Sequence, residues 1–316
     1  RDFCLSRGLG DVYKRQGFNW DFSFNASLVH NKIIKLPYNG NENNRQGGTQ
    51  VFDPKTQQVI WVGGYQEGHT MGDIYAYKQV KILSDWNEVN TMAGNYIDMI
   101  AGLYGPNVSD ADKKKYGLTK PIEPGDVLWA DLDGNHKIDQ LDRVKVGNIY
   151  PKWTGGFSTT LSYKNVSLYG RFDFALGHTI LNMVAMRSLG QSVGFKNIIK
   201  EGLKTWTEEN TNTDLPKSYY DDSTNKKNIY RDTKGSDITS VNDRSSRFYE
   251  KGDYLALREL TLNWKLPVNW ISKVGMTNAS VYITGQNLFY ITGYSGSSPE
   301  APLTYPGVDA GRDPFF

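Results

Sequence analysis

The chain has 316 residues and a formal net charge of +2, which excludes the strongly basic surface that binds nucleic acid. Only 38% of the residues are hydrophobic and the mean hydropathy is −0.55, yet 13% are aromatic. This combination is typical of a transmembrane β-barrel, in which half of each strand faces water and aromatic girdles lie at both membrane interfaces.

The first 16 residues, RDFCLSRGLGDVYKRQ, differ in character from the rest of the chain. They contain no apolar core and no small-residue cleavage site, so they do not form a signal peptide. We interpret residues 1–16 as a non-native, adapter-derived tail, and the domain prediction therefore covers residues 17–316. The chain has one cysteine, Cys4, which excludes a disulfide framework and a zinc cluster of cysteines.

The first predicted strand runs from Phe18 to Leu28. Apolar and polar residues alternate along it, which predicts one apolar face and one wet face. The aromatic residues of the apolar face favour contact with lipid over a soluble core. They are Phe18, Trp20, Phe22 and Phe24.

Long connections come next, rich in Asn, Asp, Gly, Lys and Thr. They cover residues 38–80, 83–126 and 183–252, and loops of this length are usually functional. Weak helical patterns lie within them at residues 84–104 and 196–209. Short connections at one end of a sheet and long ones at the other are typical of outer-membrane barrels.

The stretch WADLDGNHKIDQLDRV, residues 129–144, has the spacing of a calcium loop. Oxygen ligands fall at loop positions 1, 3, 5, 7, 9 and 12, where position 7 contributes its backbone carbonyl. His136 replaces the usual glycine at position 6, and an aspartate replaces the usual bidentate glutamate at position 12. The sequence therefore predicts one structural Ca²⁺ of reduced affinity, and the alternative is an Asp/Gly turn whose carboxylates are only solvated. The predicted ligands are Asp131, Asp133, Asn135, Lys137, Asp139 and Asp142.

A hairpin is predicted between Gly155 and Leu176, with Lys164 and Asn165 as its turn. Its polar face carries Arg171 and Asp173, which suits a water-filled lumen. Two further strands are predicted at residues 254–266 and 279–292. The connection between them is short, and we expect a helical turn after Pro267.

No pattern in the chain predicts an enzyme. None of the four histidines has the spacing of a metal-ligand motif, and neither GxSxG nor a phosphate-binding loop occurs. Aromatic residues in the long connections are weak candidates for stacking a sugar or peptide substrate, with loop packing as the simpler explanation. These candidates are Trp206, Tyr219 and Tyr220.

Several motifs now resemble, in the right order, the C-terminal half of the SusC/RagA-type TonB-linked (TonB-dependent) outer membrane transporters of Bacteroidota. The calcium loop is followed by GNIYPKWTGGF, and later segments match the family's strand and loop patterns. Those segments are WTEENTNTDLP, YLALRELTLNWKLP, VYITGQNLFYITGY and GVDAGRDP. Residues 135–136 replace the Asp-Gly that the family loop usually carries.

The resemblance implies an all-β fold: the C-terminal part of a large antiparallel transmembrane β-barrel, here partial and open, with the last strand missing. It implies import of oligosaccharides or peptides across the cell outer membrane. It also implies a SusD-like lipoprotein as partner, the TonB-ExbB-ExbD complex acting through an N-terminal region absent from this sequence, and contact with outer-membrane lipid.

A second function remains open at this stage. The same strands and calcium loop are compatible with a secreted, calcium-stapled, glycan-binding β-sandwich that serves as an adhesion module. The two hypotheses differ in the environment of the aromatic strand face, which is exposed to lipid in a transporter and buried between two sheets in a sandwich.

Overall fold

The computed structural model describes residues 17–189, 199–218, 245–300 and 308–309, so the predicted tail at residues 1–16 lies outside the described residues. The predicted all-β class is confirmed, because strands dominate and the helices are short. The strands, in chain order, are β1 Phe18–Leu28, β2 Thr49–Asp53, β3 Gln58–Val62, β4 Asp73–Tyr77, β5 Gln79–Ile82, β6 Ile97–Asp98, β7 Leu103–Tyr104, β8 Lys120–Pro121, β9 Val127–Trp129, β10 Lys137–Ile138, β11 Arg143–Asn148, β12 Trp153–Tyr163, β13 Val166–Leu176, β14 Thr179–Asn182, β15 Tyr249–Lys251, β16 Tyr254–Lys265, β17 Ser280–Thr292 and β18 Val308–Asp309.

The α-helices are α1 Trp86–Met92, α2 Asp110–Tyr116, α3 Met183–Leu189 and α4 Val268–Ile271. Short 3-10 helices occur at Glu42–Asn44, Gln140–Asp142, Lys200–Lys204, Ser246–Phe248 and Ser272–Val274. Among the described residues, none of the helices has the length and apolar character needed to cross a membrane.

The described residues divide into two compact units. The first unit comprises residues 17–30, 150–178 and 251–294, and contains one antiparallel sheet in the order β1-β12-β13-β16-β17. Its strands have 11 to 13 residues, a length that suits tilted membrane-spanning strands. Among the described residues the sheet is open, with β1 and β17 at its edges.

The register of this sheet separates an apolar face from a polar one. Phe22 lies opposite Thr159, Phe24 opposite Phe157, and the apolar residues of β13 continue the same side. Aromatic rings stack across the strands on this face, with 4.5 Å between the ring centroids of Phe157 and Phe172. The alternation predicted for β1 and for the hairpin therefore holds in β1, β12 and β13.

The hairpin turn lies where the sequence predicts it. β12 ends at Tyr163 and β13 begins at Val166, so Lys164 and Asn165 form a two-residue turn. Lys164 has a φ of 51°, the left-handed conformation that such tight hairpin turns require.

A bulge in β16 breaks the simple alternation. The register shifts at Arg258 both where β16 pairs with β13 and where β16 pairs with β17. The extra residue lets Arg258 and Glu259 lie on the polar face together, and Arg258 Nε donates to Asp173 Oδ2 at 2.9 Å. The carboxylate of Asp173 thus has a basic partner on the polar face of the sheet.

The described part of the second unit comprises residues 31–149, 179–189, 199–218, 245–250, 295–300 and 308–309, which belong mainly to the long connections of the sequence. The described parts of these connections form short strands and helices with a hydrophobic core of their own. α1 is capped by Asp85, whose carboxylate accepts from Glu88 N at 2.8 Å, and α2 ends at Gly117 in the left-handed conformation. The core cluster includes Tyr77, Leu83, Val89, Tyr96, Trp129, Ile138 and Trp206.

The predicted helical patterns in the connections are correct in place but too long. Residues 84–104 contain only the seven-residue α1, and residues 196–209 contain only the 3-10 helix Lys200–Lys204 within their described part. The chain after Met92 turns into the pair β6 and β7, because an antiparallel pairing between Ile97 and Tyr104 replaces the helix.

Candidate functional site

The calcium loop lies in the second unit, between β9 and β11. Ile138, at loop position 8, is 1% exposed and belongs to the core cluster, while β10 pairs in parallel with β6. Ile138 thus attaches the loop to the core of the second unit.

The structure brings three of the predicted ligands together. One carboxylate oxygen from each of Asp131, Asp133 and Asp142 lies within 4.8 Å of the others. Asn135, Lys137 and Asp139 are on the same loop, at positions 5, 7 and 9. All six residues offer oxygen atoms, and oxygen-only donor sets suit a hard cation such as calcium.

Backbone hydrogen bonds shape the first half of the loop. Asp131 accepts from Gly134 N and His136 N, both at 2.8 Å, and Asn135 Oδ1 accepts from Lys137 N at 2.7 Å. Gly134 has a φ of 73° and His136 a φ of 60°. His136 therefore adopts the left-handed conformation that glycine usually provides at this position, so the loop keeps its sharp turn without the glycine.

Asp142 closes the loop from its last position. Its side chain is buried, and its two oxygens accept from Leu132 N at 2.8 Å and Asp139 N at 2.9 Å. Asp139 caps the following 3-10 helix, accepting from Leu141 N at 2.7 Å. The Asp142 carboxylate thus connects Leu132, at position 2 of the loop, with Asp139, at position 9, and closes the loop into a ring.

Burial and neighbouring carboxylates disfavour the charged form of two aspartates in the loop, Asp142 and Asp133. Burial raises the pKa of Asp142 to about 6, and the charges of Asp133 and Asp139 add to the shift. The pKa of Asp133 is also raised, by burial and then by Asp131 and Asp139. Lys137 directs its ammonium group to the Tyr116 hydroxyl at 3.1 Å, away from this cluster.

A bound cation would offset this repulsion. Within the described chain, the ion pairs do not include Asp131, Asp133 or Asp142. The donor set and the charge of the cluster therefore fit Ca²⁺.

Trp206 is only 8% exposed. Its indole nitrogen donates to Ser84 O at 3.2 Å, and its ring packs in the core cluster of the second unit. This placement favours the packing role over substrate stacking. Tyr219 and Tyr220, the other aromatic candidates, lie outside the described residues.

The second unit also contains a polar cavity of about 890 Å³ that sequence reasoning did not find. β5 forms one wall, and the segment from Asn210 to Leu215 forms another. Two ion pairs line it, Lys81 with Glu88 and Arg247 with Asp214. The residues come from segments more than 100 positions apart, and only the run of Asn and Thr near residue 211 offered a sequence signal.

Comparison with known proteins gives relatives but no matching family model. The chain is 30% identical over 286 residues to TonB-dependent receptor P3 of Formosa agariphila, covering 90% of this chain and 24% of the relative. It is 23% identical over 309 residues to TonB-dependent receptor SusC of Bacteroides thetaiotaomicron, covering 94% of this chain and 23% of the relative. The chain therefore spans about a quarter of the length of these relatives.

Two solved structures share the fold. The RagAB peptide transporter superposes with a TM-score of 0.58 at 20% identity, covering 94% of this chain and 26% of that chain. The RagAB peptide importer in its open-open state superposes with a TM-score of 0.55 at 20% identity, covering 94% of this chain and 25% of that chain. At this level of identity the likeness shows the fold alone.

Proposed function

Over the quarter of such a receptor that it spans, this chain is of the SusC/RagA type of TonB-dependent outer membrane transporters, and from that premise we propose that it contributes barrel wall and connecting segments to a nutrient importer. The main sheet forms part of the wall between lipid and lumen. The second unit supplies surfaces that cargo meets on its way in.

The two-faced sheet carries this proposal. Phe18, Trp20, Phe22 and Phe24 are 48 to 64% exposed, so their face is not covered by a second sheet. The same face continues through Leu161, Leu168, Leu262 and Ile283, while hydroxyl, amide and charged groups take the other face. A membrane barrel needs these two surfaces, whereas a sandwich module would bury the apolar one.

The cargo in this proposal is an oligosaccharide or a peptide. One relative is SusC, and the RagAB structures compared above are of a peptide transporter. The polar cavity of the second unit, with amide, hydroxyl and paired charged groups, suits either class. The proposed partners are a SusD-like lipoprotein and the TonB-ExbB-ExbD complex, and the proposed role requires no covalent chemistry from this chain.

Uptake by whole cells tests this function. Cells that carry the full-length receptor should accumulate a labelled oligosaccharide mixture or a labelled peptide mixture, and a protonophore should abolish the accumulation. Deletion of the receptor gene should remove the same uptake. If deletion leaves the uptake of both mixtures unchanged, the proposal that the receptor imports nutrients is wrong.

The calcium loop has a structural part in this proposal. Asp131, Asp133 and Asp142 would bind one Ca²⁺ together with oxygens of Asn135, Lys137 and Asp139. The ion supplies positive charge to a cluster of carboxylates, and the residues of the loop hold the segment between β9 and β11 against the core of the second unit.

Limited proteolysis of the full-length receptor tests the metal. Chelation should increase the cleavage rate within residues 120–150, while the main sheet stays intact. Asp133→Asn should raise the cleavage rate even with calcium present, because it removes one charged ligand. Asp110→Asn, an exposed change on α2, is the matched control. If chelation leaves the cleavage rate unchanged, the loop binds no calcium and is only a turn.

A further inference from the structure

The polar cavity of the second unit runs along an edge of β5 rather than over one of its faces. All four residues of the strand line it, from Gln79 to Ile82. Side chains of a strand alternate between its two faces, so a cavity over one face would touch only every second residue. Consecutive residues also line the opposite wall, from Asn210 to Leu215. The cavity therefore lies between two stretches of backbone.

The edge of β5 that faces the cavity is unpaired in the described part of the chain. There β5 pairs with β9 alone, and the Leu83 amide continues this pairing by donating to the Asp126 carbonyl at 3.0 Å. Successive residues of a strand direct their backbone N–H and C=O groups to opposite edges. Ile82 therefore directs these groups away from β9. Its side chain packs in the core cluster, which leaves its backbone to face the cavity.

Hydrogen bonds hold the opposite wall in place. Gln79 Nε2 donates to the Asp214 carbonyl at 2.8 Å, and Arg247 Nη2 donates to Asp214 Oδ2 at 2.9 Å. The Thr213 hydroxyl donates to the Lys204 carbonyl at 2.6 Å. The cavity is thus formed before a ligand enters, which lowers the cost of ordering the protein on binding.

Hydroxyl and amide groups of the cavity suit either class of cargo, but its charged groups favour a peptide. Besides the two ion pairs described above, Lys204 and Glu201 line the cavity, are exposed and take part in none of the ion pairs of the described chain. A peptide with free termini carries charges of both signs, whereas a neutral oligosaccharide carries neither. None of the described lining residues is aromatic, so they offer no ring on which the face of a sugar could stack.

We propose that this cavity binds a peptide cargo in extended conformation, as a strand added to the unpaired edge of β5. Lys204 and Glu201 pair with charges of the peptide, and main-chain hydrogen bonds give affinity without regard to its sequence. Because β5 has four residues, about four peptide residues lie along it. This inference rests on the proposed function and narrows the cargo at this site to peptides. A neutral oligosaccharide is the alternative occupant.

Isothermal titration of the purified full-length receptor tests the site. The probes are a pool of synthetic tetrapeptides with free termini, the same pool N-methylated at every peptide bond, and a mixture of neutral tetrasaccharides. N-methylation removes the amide donors that strand pairing requires. We expect the methylated pool to bind about tenfold more weakly than the unmethylated pool.

Two variants place the binding in the cavity. Thr211 lines the cavity and is exposed, so Thr211→Trp fills the space beside β5. Lys114→Trp adds the same side chain on the exposed surface of α2, outside the cavity. Lys114→Trp should bind the tetrapeptides as wild type does, and Thr211→Trp about tenfold more weakly. A heat-shifted gel band shows that both variants are folded.

Equal binding of the two peptide pools would overturn the proposal, as would equal binding of the tetrapeptides by Thr211→Trp and wild type, or no tetrapeptide binding by wild type. Tetrasaccharide binding that Thr211→Trp removes would also overturn it and assign the cavity to a sugar. Whole-cell uptake separates the two conclusions. Receptor-dependent uptake of either labelled mixture alongside any of these results rejects the peptide site alone, whereas no receptor-dependent uptake rejects the proposed function.

Discussion

His136 adopts a φ of 60° at the sixth position of the calcium loop. A residue with a Cβ is disfavoured there by about 1 kcal/mol relative to glycine. We therefore expect His136→Gly to tighten calcium binding roughly fivefold, because the loop no longer bears that cost in the bound state. Isothermal titration of the full-length receptor measures this affinity.

The control for this prediction is Gly134→Ala. Gly134 has a φ of 73° with open space around it, so alanine introduces the same backbone cost without a steric clash. Calcium affinity should fall in this variant. If both variants bind calcium as wild type does, backbone strain does not limit the affinity of the loop.

Asp98 is a second titratable residue of interest, in the second unit. It is 2% exposed, and burial raises its pKa to about 6, although its Oδ1 accepts from Ile100 N and Ala101 N. A folded pKa above the unfolded one favours the protonated folded state. The stabilising contribution of protonated Asp98 is therefore complete below pH 4. The free energy of unfolding falls by about 3 kcal/mol as the pH rises through 6 and this contribution is lost.

Asp98→Asn should remove this dependence, because asparagine keeps the Oδ1 acceptor and does not titrate. Hydrogen exchange of residues 96–104, corrected for intrinsic rates, measures local opening at pH 4.5 and 7.5. The protection lost between the two pH values should be smaller in Asp98→Asn than in wild type or in the exposed control Asp110→Asn. Equal losses in all three proteins would contradict the assignment.

At the level of single residues, the sequence indicates which side chains meet where the contacts are local, although the metal ligands themselves stay a prediction. The calcium-loop spacing brings Asp131, Asp133 and Asp142 together within twelve consecutive residues. Trp206 differs, because its burial depends on Ser84 and on core residues far away in the chain. No short window of sequence contains that information.

The strands of the main sheet are the elements whose bounds the sequence predicted best. A period of two over eleven residues is a strong signal, and β1 spans Phe18–Leu28 as predicted. The bulge at Arg258 was not predicted, because it depends on how two neighbouring strands align. The short strands of the second unit were not predicted, since strands of two to six residues carry too little periodicity.

Lysine substitutions at the centre of β1 test the two faces of this element. Phe22→Lys places a charge on the apolar face and should destabilise the folded receptor by about 2–4 kcal/mol near the bilayer midplane. Ser23→Lys changes the next residue, which lies on the polar face, and should destabilise the folded receptor much less. The urea dependence of the heat-shifted gel band, measured for the full-length receptor in vesicles, gives both values. Equal destabilisation by the two substitutions would contradict the lipid-facing assignment.

At the scale of the whole molecule, relatives and fold confirm the predicted resemblance, the barrel class and the outer-membrane localisation. These predictions succeeded because five motifs recur in the right order over nearly the whole chain. The sequence does not determine the proposed cargo class, since the chain spans about a quarter of the length of its relatives.

The central claim is that the apolar face of the main sheet meets lipid while its other face meets water. Fluorescent labels on single cysteines at positions 22 and 23, each in a full-length receptor without any other cysteine, test it most directly. Brominated lipid should quench the label at Phe22→Cys, and aqueous iodide should quench the label at Ser23→Cys. Shielding of the label at position 22 from both quenchers, as in a sandwich core, would contradict the account.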